Sequence, residues 1–159
     1  MAQTESLPEA PAYVSHVHVR RVGGLDKMVR LPAMDDEVVM GGHGAIAEHY
    51  GVTDREPHPA TLDYVVAATA ACLTGTFATA MRGRGITLDL DAYEVEADGE
   101  LHNRNGVLVI EKIVVTHRVR LPQEHHDTAR RVLGFYERGC AVSRSLEGSI
   151  EIESRLELI

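Results

Sequence analysis

From Leu62 to Arg82 the chain runs without Gly or Pro apart from Gly75, and it is rich in Ala. A stretch of that length and texture fits one long helix, because Ala has the highest helix propensity and both common breakers are nearly absent. Thr61 is a suitable N-cap, Asp63 in the first turn suits the positive end of the helix dipole, and Gly83 and Gly85 end the pattern. At about 100° per residue, Cys72 shares a face with Val65, Ala68, Thr69, Gly75, Thr76 and Thr79. Leu62, Val66, Leu73 and Phe77 form a second, core-filling face. So few charges predict a helix buried on most sides, and the small-residue face allows another backbone, or a partner subunit, to approach closely.

Strand patterns flank this helix. Tyr13 to Arg20 alternates, Gly23-Gly24 marks a turn, Lys27 to Leu31 is the expected return strand, and Glu37 to Met40 a third. Residues 41–59 read as a loop. After the helix, Thr87 to Ala97 is one expected strand. Leu101 and then Gly106 to Leu121 follow across Asn105-Gly106, a strong hairpin signal. In the second arm Val107, Val109, Ile113, Val115 and Val119 are expected on one face. Pro122 to about Arg138 predicts a second helix ending at Gly139, and Ala141 to Leu146 a short helical turn. Ser149 to Ile159 alternates cleanly, with Ile150, Ile152, Leu156 and Leu158 inward. Strands, helix, strands, helix, strand, with the strands antiparallel, give an α+β fold.

Composition narrows the class. Lys+Arg 16 against Asp+Glu 24 leaves a net charge of -8, which gives no electrostatic footprint for nucleic acid. No apolar run is expected to cross a membrane. Met1 to Pro11 carries Glu5 and Glu9 and no basic residue, unlike a secretory or transit segment. The expectation is a disordered lead over residues 1–12, a single domain over 13–159 and a cytoplasmic location. In that compartment two cysteines are buried or reactive thiols rather than a permanent staple.

The spacing of Cys72 and Cys140 fits neither a CxxC motif nor a zinc ribbon. Cys72 alone reads first as a small buried hydrophobe. Cys140 stands where one helix ends and a short one begins, with Arg138 and Arg144 near, and helix N-termini and arginines stabilise thiolates.

At these residues the chain resembles the OsmC/Ohr family. Thr61-Leu62-Asp63-Tyr64-Val65-Val66-Ala67-Ala68-Thr69-Ala70-Ala71-Cys72 is similar to that family's cysteine helix, and Gly139-Cys140-Ala141-Val142-Ser143-Arg144-Ser145-Leu146 to its second cysteine motif. The resemblance spans about residues 13 to 158. It implies an intertwined homodimer with antiparallel strands wrapped around two central cysteine helices. It also implies reduction of organic or fatty hydroperoxides, with Cys72 as the peroxidatic thiol and Cys140 as the resolving one. A dithiol such as protein-bound lipoamide would be the reductant, and no metal, haem or flavin would be required.

The chain departs from the family pattern at three points. Thr61-Leu62 stands where a Pro-Glu pair commonly opens the helix, and Ala141 where Pro commonly follows the second cysteine. Asp63 is the next acid, but the step from Asp63 to Cys72 turns about 900° on a straight helix and rises about 13 Å, which puts the two on opposite faces. Asp63 is therefore either the acid that orients an activating arginine or a dipole residue of the first turn. The family's arginine lies near a Gly-Gly turn in one branch, where Arg20 and Arg21 are the candidates, and in the loop before the helix in the other, where Arg55 is the candidate. Each is equally readable as a solvated surface charge.

Nine histidines raise a metal reading, but His16/His18 and His125-His126 match no recognised ligand spacing. Gly41-Gly42-His43-Gly44 lacks the Lys-Ser/Thr of a phosphate loop, and there is no G-x-S-x-G elbow. The sequence thus points to a thiol peroxidase. A non-catalytic small-molecule or lipid binder of the same fold, favoured by Leu62 at the usual Glu position, stands as the alternative.

Overall fold

A computed structural model describes residues 10–159; residues 1–9 of the expected N-terminal lead lie outside the described residues. The chain divides into two compact units, one ending at Pro59 and one running from Ala60 to Ile159.

In the first unit, β1 (His18–Gly23), β2 (Asp26–Arg30) and β3 (Val38–Met40) pair antiparallel in that order. The strand expected from Tyr13 begins only at His18; Tyr13 and Val14 are paired to no strand and are exposed. The Gly23-Gly24 turn forms as expected, with Gly24 at φ 53, a left-handed conformation that suits Gly. The expected loop over 41–59 contains a short helix, α1 (Gly44–His49), which buries Ala47. Its Ala-Ile-Ala-Glu run is helix-forming and was concealed by the surrounding glycines.

The second unit opens with α2 (Thr61–Arg82), 22 residues long. Its N-cap is Ala60 rather than Thr61, because Asp63 reaches back and accepts the Ala60 N–H at 2.6 Å. Leu73, Phe77 and Met81, one turn apart, are fully buried. They pack on the sheet β4 (Tyr93–Arg104), β5 (Val107–Val119) and β6 (Glu151–Leu158), in that order. Truncating a side chain such as Phe77 in such a core typically costs ~3–5 kcal/mol. The other side of α2 is less covered than expected: Ala67, Ala68, Ala71, Gly75 and Thr79 are exposed within the chain. The helix, with a mean hydropathy of 1.4 over its most apolar window, is long and apolar enough by length and composition to cross a membrane. That corrects the expectation that no segment is.

β4 is one strand where two pieces were expected, and Thr87 to Asp89 leads into a 3-10 turn, Leu90–Ala92, instead. Asp98-Gly99-Glu100 has poor strand propensity, yet pairing with β5 carries the strand through it. Gly99 lies under α2: a Cβ there would come 2.5 Å from Val66 Cγ2. The Asn105-Gly106 hairpin is present, with φ 54 and 89. A bulge follows. Glu100 pairs with Lys112 and Leu101 with Ile110, so Glu111 is the extra residue. The bulge reverses the alternation, and Ile110 rather than Val109 joins Ile113, Val115 and Val119 in the core; Val107 is exposed.

β6 runs parallel to β5, which corrects the all-antiparallel expectation. The crossover between them was expected as one helix from Pro122 to Arg138. It is instead a 3-10 turn (Gln123–His125), α3 (His126–Leu133), a second 3-10 turn (Tyr136–Gly139) and α4 (Ala141–Leu146). Gly134 caps α3 and ends it early.

Candidate active site

Cys72 projects from the middle of α2, and Cys140 is the N-cap of α4. The fold brings the two sulfurs to 2.9 Å, the Cys140 thiol donating to Cys72 Sγ. Both are free thiols, Cys140 fully buried and Cys72 half-buried. The Ser143 N–H points at Cys140 Sγ at 3.4 Å.

Their environments separate the two thiols. Burial pushes Cys72 up. The Cys140 thiol, the N–H groups of Val142 and Ala141 and the Thr76 hydroxyl together outweigh it, so the Cys72 thiol lies below its ordinary value. Cys140 lies above its ordinary value, raised first by burial and then by its hydrogen bond to Cys72. The pair therefore has one sulfur prone to be thiolate and one that keeps its proton. Since the thiolate is the nucleophilic form, Cys72 is the more reactive sulfur of the pair.

Cys72 opens onto a cleft of about 840 Å³. Ala71, Gly75, Ala80 and Phe135 make part of its lining apolar, and Arg138 brings a cation to it. Arg138 was quoted in the sequence only as a neighbour of Cys140. Its place in the cleft depends on the 3-10 turn, which the sequence did not predict.

The arginines singled out in the sequence belong to the first unit. Arg20, on β1, pairs with Glu37 at 2.8 Å. Arg21 is exposed on the same strand. The Arg55 side chain lies over the Gly23-Gly24 turn, where a Cβ on Gly24 would come 3.0 Å from Arg55 Nε. Its Nη1 stands 3.9 Å from Asp26 Oδ2, and the other oxygen of Asp26 lies 3.4 Å from His58 Nδ1. The loop candidate Arg55 thus lies on the Gly-Gly turn, beside Asp26, an acid the sequence did not single out, whereas Arg20 is engaged by Glu37. Asp63, by its bond to Ala60, holds the start of α2.

A second feature was missed in the sequence. His117, on the inward face of β5, is fully buried and bonded at both ring nitrogens, to Tyr93 at 2.6 Å and Tyr136 at 2.7 Å. Burial lowers its pKa to about 4 and raises both tyrosines. Its place two residues from Val115 and Val119 was the available signal. Among the described residues, no group of three or more His, Cys, Asp or Glu is arranged to hold a metal.

An α+β domain with two cysteines in contact, one on a central helix and one at the crossover, defines a two-thiol class of protein. Residues 53–155 match the model of the OsmC-like protein family, and the chain belongs to that family. Comparison with curated protein sequences finds no match. Among solved structures, an OsmC-like protein of unknown function from Vibrio cholerae superposes with a TM-score of 0.73 at 13% identity, covering 91% of this chain and 99% of that one. The OsmC-like protein from Mycoplasma pneumoniae gives 0.72 at 12%, covering 94% and 99%. The organic hydroperoxide resistance protein OhrB of Bacillus subtilis gives 0.64 at 18%, covering 94% and 100%. At these identities the likeness is one of fold.

Proposed function

We propose that the protein is a thiol-dependent peroxidase that reduces organic or fatty hydroperoxides to alcohols. The observation that carries this reading is the 2.9 Å contact between Cys72 and Cys140, with the first thiol lowered and the second raised. The Cys72 thiolate attacks the terminal peroxide oxygen. The O–O bond breaks, Cys72 becomes a sulfenic acid, and the alkoxide takes a proton and leaves as alcohol. Cys140 then attacks the Cys72 sulfur, forming the disulfide and releasing water. A dithiol reductant such as a lipoylated protein restores both thiols by exchange and is itself oxidised to a disulfide.

Arg55, or an arginine of the Arg20–Arg21 pair, stabilises the Cys72 thiolate in this scheme, as the family resemblance suggests, and Asp26 holds Arg55. The apolar part of the cleft takes the alkyl portion of the substrate. The working form is a homodimer, and the exposed small-residue face of α2 supports that. The cytoplasm, where thiols stay reduced, suits the cycle.

The size of the cleft also supports the second reading, a small-molecule or lipid binder whose thiols are not catalytic. One experiment separates the two. Reduced protein is mixed with one equivalent of cumene hydroperoxide and quenched within seconds. Free thiols are then counted and the intact mass measured. Loss of both thiols with loss of two hydrogens, abolished in Cys72→Ser, supports the peroxidase; two surviving thiols leave the binder.

A further inference from the structure

The peroxidase chemistry above uses two sulfurs and leaves a buried hydrogen-bond chain without a task. It runs Tyr93–His117–Tyr136–Ser154–Glu137, and its direction follows from counting protons. The Ser154 hydroxyl donates to the Glu137 carboxylate, so its oxygen must accept from Tyr136 at 2.7 Å. Tyr136 has then spent its only proton, and its oxygen accepts from His117 Nε2. His117 is therefore the Nε2–H tautomer, and its Nδ1 accepts from Tyr93. Tyr93 gives its one proton to Nδ1 at 2.6 Å rather than to the Thr74 carbonyl, the longer contact at 3.4 Å, and every member of the chain is then satisfied.

The far end of the chain is the segment that delivers Cys140. Tyr136 and Glu137 are the first two residues of the 3-10 turn, and the Glu137 carbonyl accepts the Cys140 N–H at 2.9 Å. The near end is referenced to the other cysteine's helix. Phe77, on α2, stacks on His117 with centroids 4.9 Å apart and meets the Tyr136 ring edge-on at 5.4 Å.

We propose that this chain positions the resolving thiol: His117, Tyr136 and Ser154 are positioning residues that fasten the Cys140 turn to the sheet and hold its sulfur in reach of Cys72. The proposal rests on the peroxidase reading for its biological use. Burial keeps His117 neutral and both tyrosines protonated near neutral pH, so the chain holds together under working conditions. The step it serves is the attack of Cys140 on the Cys72 sulfenic acid, which makes the S–S bond and releases water.

The test reads the thiol pair without relying on peroxide. Full-length wild-type protein, Tyr136→Phe, Ser154→Ala and Ser154→Thr are equilibrated in glutathione redox buffers, and the effective concentration of the two thiols for each other is measured. Glutathione disulfide supplies the oxidation and leaves as two glutathione thiols. Tyr136→Phe and Ser154→Ala are expected to lower the effective concentration about five- to tenfold, the factor one neutral hydrogen bond supports. Ser154→Thr, which keeps the hydroxyl, should restore it. Unchanged values in both deletion variants, even with a lowered Tm, would overturn the proposal, as would failure of threonine to rescue. If Tyr136→Phe does not fold, the Ser154 pair decides alone. A parallel arm adds cumene hydroperoxide to wild type. A protein that forms the disulfide with glutathione but ignores the peroxide defeats the peroxidase reading and leaves the positioning chain standing. A wild type that forms the disulfide with neither oxidant defeats the positioning chain.

Discussion

Asp63 Oδ2 lies 2.6 Å from the backbone nitrogen of Ala60, closing the first turn of α2 on itself. Ala60 has no side-chain oxygen to cap the helix, so the contact comes from the reverse direction, from the third helical residue back to the cap. Asp63→Ala should therefore destabilise the fold by ~0.5–2 kcal/mol, the cost of losing a helix cap. Urea unfolding measures this. A wild-type unfolding midpoint in the variant would refute it.

The two thiols should differ in reactivity. Cys72 is half-exposed and lowered, Cys140 buried and raised, so limiting iodoacetamide at neutral pH should modify Cys72 first. Cys140→Ala removes a hydrogen bond to the Cys72 sulfur. Its alkylation at neutral pH should slow by about three- to tenfold as the thiolate fraction drops. Peptide mass mapping over time reads both effects, and equal rates at the two cysteines would contradict them.

His117 gives the protein an acid limit. Its folded pKa of about 4 lies below the ordinary value of 6.5, so between those pH values the unfolded chain binds a proton that the folded one refuses. Stability then rises with pH through that window and is level above it. The ceiling of the effect is about 3 kcal/mol. The groups facing the ring, Tyr93, Tyr136 and Phe77, are uncharged and do not reverse the sign. Urea midpoints measured across the window should fall on the acid side in wild type and less steeply in His117→Gln. Parallel curves would disprove the assignment.

Gly99 and Gly41 mark two close approaches. Gly99→Ala places a methyl 2.5 Å from Val66 Cγ2, and Gly41→Ala places one 2.3 Å from Asp26 Oδ1 and 2.9 Å from His58 Cβ. Each should cost ~1–3 kcal/mol, as overpacking does. Thermal unfolding of the two variants checks it. Gly83→Ala, at φ -61 and with the added methyl at an ordinary 3.6 Å from the Thr79 and Ala80 carbonyls, is the control. It should be neutral or stabilising, since Ala is the better helix residue.

Features set by neighbouring residues were legible in the sequence: the long helix, the Asn-Gly hairpin and the two cysteine motifs. What it concealed was set at a distance. The Glu111 bulge depends on cross-strand pairing, and it reversed the inward face of β5 at Val107 and Val109. Asp63 could be assigned to the helix start only once Ala60 was seen to need a partner. Asp26 meets Arg55 across a loop whose path no local pattern encodes. The break at Gly134 gave way to a 3-10 turn, and with it went the placement of Tyr136 and Arg138. His117 was findable, because it stands where strand alternation demands an apolar residue.

The parallel pairing of β6 with β5 has a consequence for the order of folding. A parallel neighbour can dock only after the intervening chain has crossed the whole sheet, and here that intervening chain carries Cys140. The β4–β5 hairpin can form from adjacent residues, whereas the last strand closes a long loop and so comes late. A nascent chain thus displays Cys72 on α2 before the crossover that carries Cys140 has closed. The pairing of the two thiols is in effect a certificate that this crossover has settled on α2.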